Sequence, residues 1–151
     1  MQKNKNKKWR LVVDTNAWIS SLLSPRFRDR LEVVFDTKYH LMVSERSFRE
    51  LEQAVRKPHL SRRIVWADYM ELVSQLRTDA ELIDVRSVVE ACRDPKDNFL
   101  LALAKDGNAD YLITGDGDLL SMEKFENTQI VKISEFIALN SDRDKVGCVK
   151  N

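Results

Sequence analysis

The sequence predicts an α/β fold: a three-layer α/β/α sandwich around a central, mostly parallel sheet of about five strands. Two features point there. Short, near-continuously apolar runs such as Leu11-Val12-Val13 alternate with longer stretches of helical period, and cap or turn residues stand at the joints. Strands that are apolar throughout belong to sheets covered on both faces. A chain of 151 residues, 43% hydrophobic, makes one domain with a core of its own. We expect a basic, flexible arm over residues 1–9, the domain over 10–140 and a C-terminal tail over 141–151.

The elements follow in order. Leu11 to Val13 is a buried strand, stopped by Asp14-Thr15-Asn16, which suits a helix cap. A helix runs from Ala17 to Leu23. Pro25 opens another, along which Phe27, Leu31, Val34 and Phe35 recur at helical spacing. Tyr39 to Val43 is the second strand, and Ser44 caps a helix whose stripe is Phe48, Leu51 and Val55, ending near Pro58. Ile64 to Ala80 is a long helix with Trp66, Tyr69, Met70, Val73 and Leu76 inward, followed by an edge strand over Glu81 to Val85. Asp94-Pro95 sets a cap and a first-turn proline ahead of Phe99, Leu100, Leu103 and Ala104, and Gly107 ends that helix. Tyr111 to Thr114 is a strand broken by Gly115-Asp116-Gly117-Asp118. Ile130 to Ile133 is the last strand, and Ser134 caps the final helix.

Composition mostly excludes. The longest wholly apolar run, Phe99 to Ala104, is far short of the roughly twenty residues of a membrane span. No apolar stretch follows the basic start, so no secretory signal is expected and the chain reads as cytoplasmic. Cys92 and Cys148 fit neither a disulfide framework nor a metal motif and read as free thiols. His40 and His59 are isolated. The net charge of +1 hides an uneven distribution: residues 1–10 carry +5, 26–63 carry +4 and 64–126 carry −8.

In open parallel sheets, ligands sit beyond the carboxyl ends of the strands. That rule places Asp14, Ser44 and Gly115 to Asp118 on one edge. Acids then converge there: Asp14 after the first strand, Glu50 on the helix after the second, Asp97 in the first turn of its helix, and Asp116 with Asp118 after the fourth. Clustered carboxylates repel, so such a cluster implies a cation. Oxygen donors without His or Cys select hard ions, Mg²⁺ or Mn²⁺. The matching chemistry is phosphodiester hydrolysis, where one or two ions acidify a water and offset charge on the leaving oxygen. Each acid also has a local explanation. Asp14 and Asp97 complement helix starts, Asp94 before Pro95 is an N-cap, Glu50 can flank an apolar stripe beside Arg46, and Gly-Asp-Gly-Asp suits a turn. The ordered set weighs more than any member.

The segments VVDTNAWISSLLSP (12–25), SERSFRELEQAV (44–55), CRDPKDNFLLALA (92–104), DYLITGDGDLL (110–120) and VKISEFI (131–137) together resemble a PIN domain, in particular the branch of toxin components of bacterial toxin–antitoxin pairs. The likeness covers about residues 10–138. It implies that Asp14, Glu50, Asp97 and Asp116 are the catalytic acids and metal ligands, with Asp118 an accessory ligand and Thr15, Asn16, Ser44 and Thr114 supporting polar groups. It further implies a Mg²⁺- or Mn²⁺-dependent endoribonuclease cutting single-stranded RNA to 5′-phosphate and 3′-hydroxyl ends. Such enzymes are often homodimers and are inhibited by an antitoxin protein that covers the site. The basic arm before Trp9 is not part of the family pattern. Two other readings compete: a phosphatase of the haloacid-dehalogenase type, which wants a second Asp where Asn16 stands, and a PIN-like module that binds RNA or protein without cutting.

Bases flank the acidic centre. Arg26, Arg28, Arg49, Arg56, Lys57, Arg62 and Arg63 are the candidate RNA contacts, with Arg30 and Arg46 nearby. The competing explanation is a solvated face with i,i+4 ion pairs. Trp18 and Trp66 fall on apolar helix faces and are expected in the core.

Overall fold

The computed structural model describes residues 8–149, with side chains through residue 141. Most of the expected basic arm therefore lies outside the described residues. The described residues form six strands and eight α-helices: β1 (Trp9–Val13), α1 (Thr15–Leu23), α2 (Pro25–Leu31), β2 (Tyr39–Val43), α3 (Glu45–Val55), α4 (Pro58–Ser61), α5 (Trp66–Asp79), β3 (Glu81–Leu82), α6 (Asn98–Asp106), β4 (Tyr111–Ile113), α7 (Gly117–Leu120), β5 (Lys124–Phe125), β6 (Thr128–Val131) and α8 (Ile133–Val149). Short 3-10 turns span Glu32–Phe35 and Pro95–Asp97. The sheet order is β3-β2-β1-β4-β6-β5, parallel throughout except for β5, which pairs antiparallel with β6.

The apolar strands are buried on both faces, and their two-residue period divides the core. Leu11, Val13, Leu41, Val43, Tyr111, Ile113 and Val131 face the larger layer, with Trp18, Leu51, Leu76 and Phe136 from the helices. Val12, Met42, Leu112 and Ile130 face the other, against Leu100, Leu101, Leu103 and Leu119. This is the expected three-layer arrangement. Truncating a leucine at such a position costs about 2–5 kcal/mol. Where α6 ends, a Cβ on Gly107 would come within 2.7 Å of Met42 Sδ, so a larger residue there would oblige the end of the Met42 side chain to move.

Several expectations change. The sheet has six strands rather than about five; the addition, β5, is two residues long and closes through Glu126 at φ 51°. Neither its length nor an acidic residue at a left-handed turn position marks a strand in sequence. The last strand starts two residues earlier than expected, and α8 begins at Ile133, so Ser134 lies inside the helix. The same helix continues to Val149 through the segment read as a tail. Trp18 is in the core, but Trp66 and Met70 are about half exposed. The α5 stripe turns inward at Tyr69 and Leu76, with Leu72 and the expected Val73 partly buried against the same core, and Trp66 stands outside under the Arg56 guanidinium and against Tyr69. Among the described residues, no helix is long and apolar enough to cross a membrane.

Candidate active site

β1, β2 and β4 run parallel, so their carboxyl ends open on one edge and the segments leaving them share that edge. Asp14 leaves β1 as the N-cap of α1: its Oδ1 accepts the Asn16 N–H at 3.0 Å. Its Oδ2 accepts the Thr114 hydroxyl at 2.7 Å, from the residue that follows β4. Asp116 caps α7, accepting from the Asp118 N–H at 3.0 Å, while its own N–H donates to Thr114 Oγ1 at 3.0 Å. Asp94 caps the Pro95–Asp97 turn through the Lys96 N–H, as expected, and this turn delivers Asp97 at the start of α6.

These segments enclose a cleft of about 260 Å³ lined by Asp14, Glu50, Asp97 and Asp116, along with Thr15, Asn16, Asp94, Lys57 and Lys96. The fold thus brings all four expected catalytic acids together from separate segments of the chain. Asp118 does not line the cleft; its carboxylate lies 3.8 Å from Arg93, and its N–H positions Asp116. Ser44 is buried as the cap of α3, in a reciprocal capping box with Ser47, outside the cleft lining. Thr114 is buried beneath the acids, between Asp14 and Asp116.

The electrostatics follow from burial and crowding. Asp14 is 2% exposed. Burial pushes its carboxyl above the usual range, opposed by the hydrogen bonds from Thr114 and Asn16. Burial also drives Asp97 up, to about 8, reinforced by its hydrogen bond to Asp116 and by the charges of Asp116, Asp14 and Asp94. Asp116 moves the other way, held below its ordinary value by the Asp97 proton. The opposed directions share a cause: two carboxyls side by side cannot both ionise without cost.

The buried carboxylate oxygens are a test of cation fit. Asp97 Oδ2 is buried and accepts no hydrogen bond, and every candidate donor is a carboxylate oxygen. A hard divalent ion would supply the positive charge that lets these crowded carboxylates ionise together, so the residues suit one. As the side chains stand, no group of three or more His, Cys, Asp or Glu among the described residues could hold an ion: Asp97 bonds to Asp116, and Glu50 accepts from Arg46 Nε at 3.3 Å.

Most of the expected basic rim lies away from the cleft. Lys57 lines the cleft. Arg28 donates to Ser21 O and pairs with Asp68; Arg56 pairs with Glu52 and covers Trp66; Arg49 borders a neighbouring groove beside Ser44. Arg26, Arg62 and Arg63 are exposed and do not line the cleft. Sequence reasoning passed over Lys96, although its position directly before Asp97 was a usable signal.

A carboxylate cluster at the carboxyl edge of a parallel sheet suits phosphate chemistry assisted by a divalent ion. The match to the PIN domain model over residues 10–118 makes the assignment: the chain belongs to the PIN domain family, whose members are generally nucleases that use divalent metals and act on nucleic acids. The chain is 26% identical over 125 residues to MJ1680, an uncharacterized protein of Methanocaldococcus jannaschii, covering 81% of this chain and 80% of that one. Its fold is similar to the crystal structure of PAE2754 from Pyrobaculum aerophilum, with a TM-score of 0.54 and 16% identity over 89% of this chain and 90% of the other.

Proposed function

We propose that the protein is a Mg²⁺- or Mn²⁺-dependent endoribonuclease that hydrolyses single-stranded RNA, with Asp14, Glu50, Asp97 and Asp116 as its catalytic acids. The observation that carries this reading is the convergence of these four acids in one cleft, with Asp97 Oδ2 buried there and without a hydrogen-bond partner. A divalent ion held there would supply acidification of a water and positive charge to offset that developing on the phosphate and the leaving oxygen. Asp14, fixed at both oxygens by Thr114 and Asn16, would be the most rigid ligand; Asp97, Asp116 and the half-buried Glu50 are the other carboxylates that would hold the ion. Asp118 serves through its backbone N–H and as an outlying carboxylate. Thr15 and Asn16 border the reacting phosphate, and Lys57 and Lys96 draw the strand in.

The phosphatase alternative needed a second acid at position 16. That residue is Asn16, exposed at the cleft wall, and the family that matches is the PIN domain. The proposal extends to a cytoplasmic homodimer acting as the toxin of a toxin–antitoxin pair, with the antitoxin protein covering the acidic cleft. The reading is tested with labelled single-stranded RNA and DNA and Mn²⁺, Mg²⁺ or EDTA, comparing wild type with Asp97→Asn. Metal-dependent shortening of RNA by wild type alone supports it. RNA binding without shortening under every metal condition identifies a non-catalytic module instead.

A further inference from the structure

The acidic cleft does not end at Asp116. Asn16 and Asp116 also border a second groove, of about 740 Å³, that runs between α1–α2 and the turn from β6 into α8. Phe27 and Arg30 stand on one side and Lys132 and Ser134 on the other. Gly115 and Gly117 form part of the wall, and a Cβ at either would meet nothing within 4 Å, so backbone rather than side chain faces this space.

The charges there are of a different kind from those nearby. Arg28, Arg46, Arg56 and Arg77 each hold a carboxylate of this chain. Arg30 and Lys132 are exposed and, among the described residues, neither pairs with an acid. Arg30 lies instead 5.7 Å from the centre of the Phe27 ring. Two cations without an acid partner and an aromatic ring that packs partly on the core, continuous with the acidic cleft, match the repeating chemistry of a single strand: an anionic phosphate, then a flat base.

We propose that this groove is the subsite for the single-stranded RNA on one side of the cut, with Arg30 and Lys132 holding backbone phosphates and Phe27 presenting a stacking face to a base. The proposal rests on the ribonuclease reading of the acidic cleft. Lys57 and Lys96 border that cleft but not this groove, so cations attend both cavities, which meet at Asn16 and Asp116.

The test uses the full chain carrying Asp97→Asn, a fluorescein-labelled 12-nucleotide oligouridine RNA, and anisotropy titrations in Mn²⁺ at several salt concentrations. Thermal unfolding checks that each variant is folded, as the exposure of both cations leads us to expect. Adding Arg30→Ala or Lys132→Ala should weaken binding several-fold and reduce the salt slope by about 0.7 for each phosphate that is no longer neutralised. Adding Phe27→Ala should weaken binding while leaving the slope unchanged, and 5-iodouridine RNA should cross-link to the segment containing Phe27. Wild type that cuts RNA, together with an Arg30→Ala/Lys132→Ala protein of unaltered affinity and slope, overturns the groove and leaves the nuclease standing. Wild type that neither cuts nor binds RNA overturns both.

Discussion

Thr114 donates its hydroxyl to Asp14 Oδ2 at 2.7 Å and accepts the Asp116 N–H at 3.0 Å. One buried side chain therefore ties together the acids that leave β1 and β4. Replacing it by valine keeps the shape and removes both bonds, leaving a buried carboxylate oxygen and an N–H without their partner. We expect Thr114→Val to lose about 1–3 kcal/mol of stability and about 10- to 100-fold in apparent metal affinity or activity. Thr114→Ser, which restores the hydroxyl, should recover most of both. Denaturant unfolding and Mn²⁺ titration of cleavage measure them.

Asp14→Asn and Asp97→Asn each remove an ionisable oxygen from the cleft without changing its volume. Both proteins should fold, and both should lose roughly 10³-fold or more in cleavage of labelled RNA if the cleft carries the chemistry. Undiminished cleavage by folded Asp97→Asn protein would refute its assigned role.

Stability should depend on pH through Asp97. Its folded carboxyl is raised to about 8, so the native state retains a proton that the unfolded chain releases near the ordinary carboxylate value. The folded state is then favoured most at low pH and loses that advantage as pH rises toward 8. Asp116 is shifted downward, so its contribution is lost on acidification, below the range from 5 to 8. In EDTA, the melting temperature should fall between pH 5 and pH 8. Asp97→Asn should flatten that profile, and Mn²⁺ should raise the melting temperature more at pH 8 than at pH 5. A flat wild-type profile in EDTA would remove the case for a raised Asp97 carboxyl.

Glu50 is held by Arg46 at 3.3 Å, with Arg46 also over the Phe99 ring. The pair is largely solvent-facing, so Arg46→Ala should change stability by only about 0.5 kcal/mol. Glu50→Gln should instead raise the Mn²⁺ concentration needed for half-maximal cleavage, by about tenfold. Equal metal requirements for wild type and Glu50→Gln would take Glu50 out of the ligand set.

The two helical tryptophans should separate cleanly. Trp18 is 4% exposed and packs on Phe35, whereas Trp66 is 50% exposed. Trp18→Ala should cost about 3–5 kcal/mol, and Trp66→Ala about 1 kcal/mol. Chemical denaturation of the two variants checks the outward placement of Trp66, which a cost as large as that of Trp18→Ala would contradict.

The sequence by itself determined the three layers, the order of the elements and the identity of the four acids that line the cleft. Those properties are local: apolar runs of strand length, Ser44 and Asp94 as caps, and Gly-Asp after Thr114 all follow from backbone preferences and periodicity. β5 escaped because two residues carry no period. Trp66 was misplaced because periodicity finds an apolar face without saying what covers it. Which bases serve a ligand was also beyond the sequence, since Arg28 and Arg56 look no different in one dimension from Arg30 and Lys132. Only the folded chain brings Asp68 to Arg28 and leaves Lys132 facing a groove. The opposed shifts of Asp97 and Asp116 are likewise tertiary, because they require two carboxyls from different elements to meet, one of them buried.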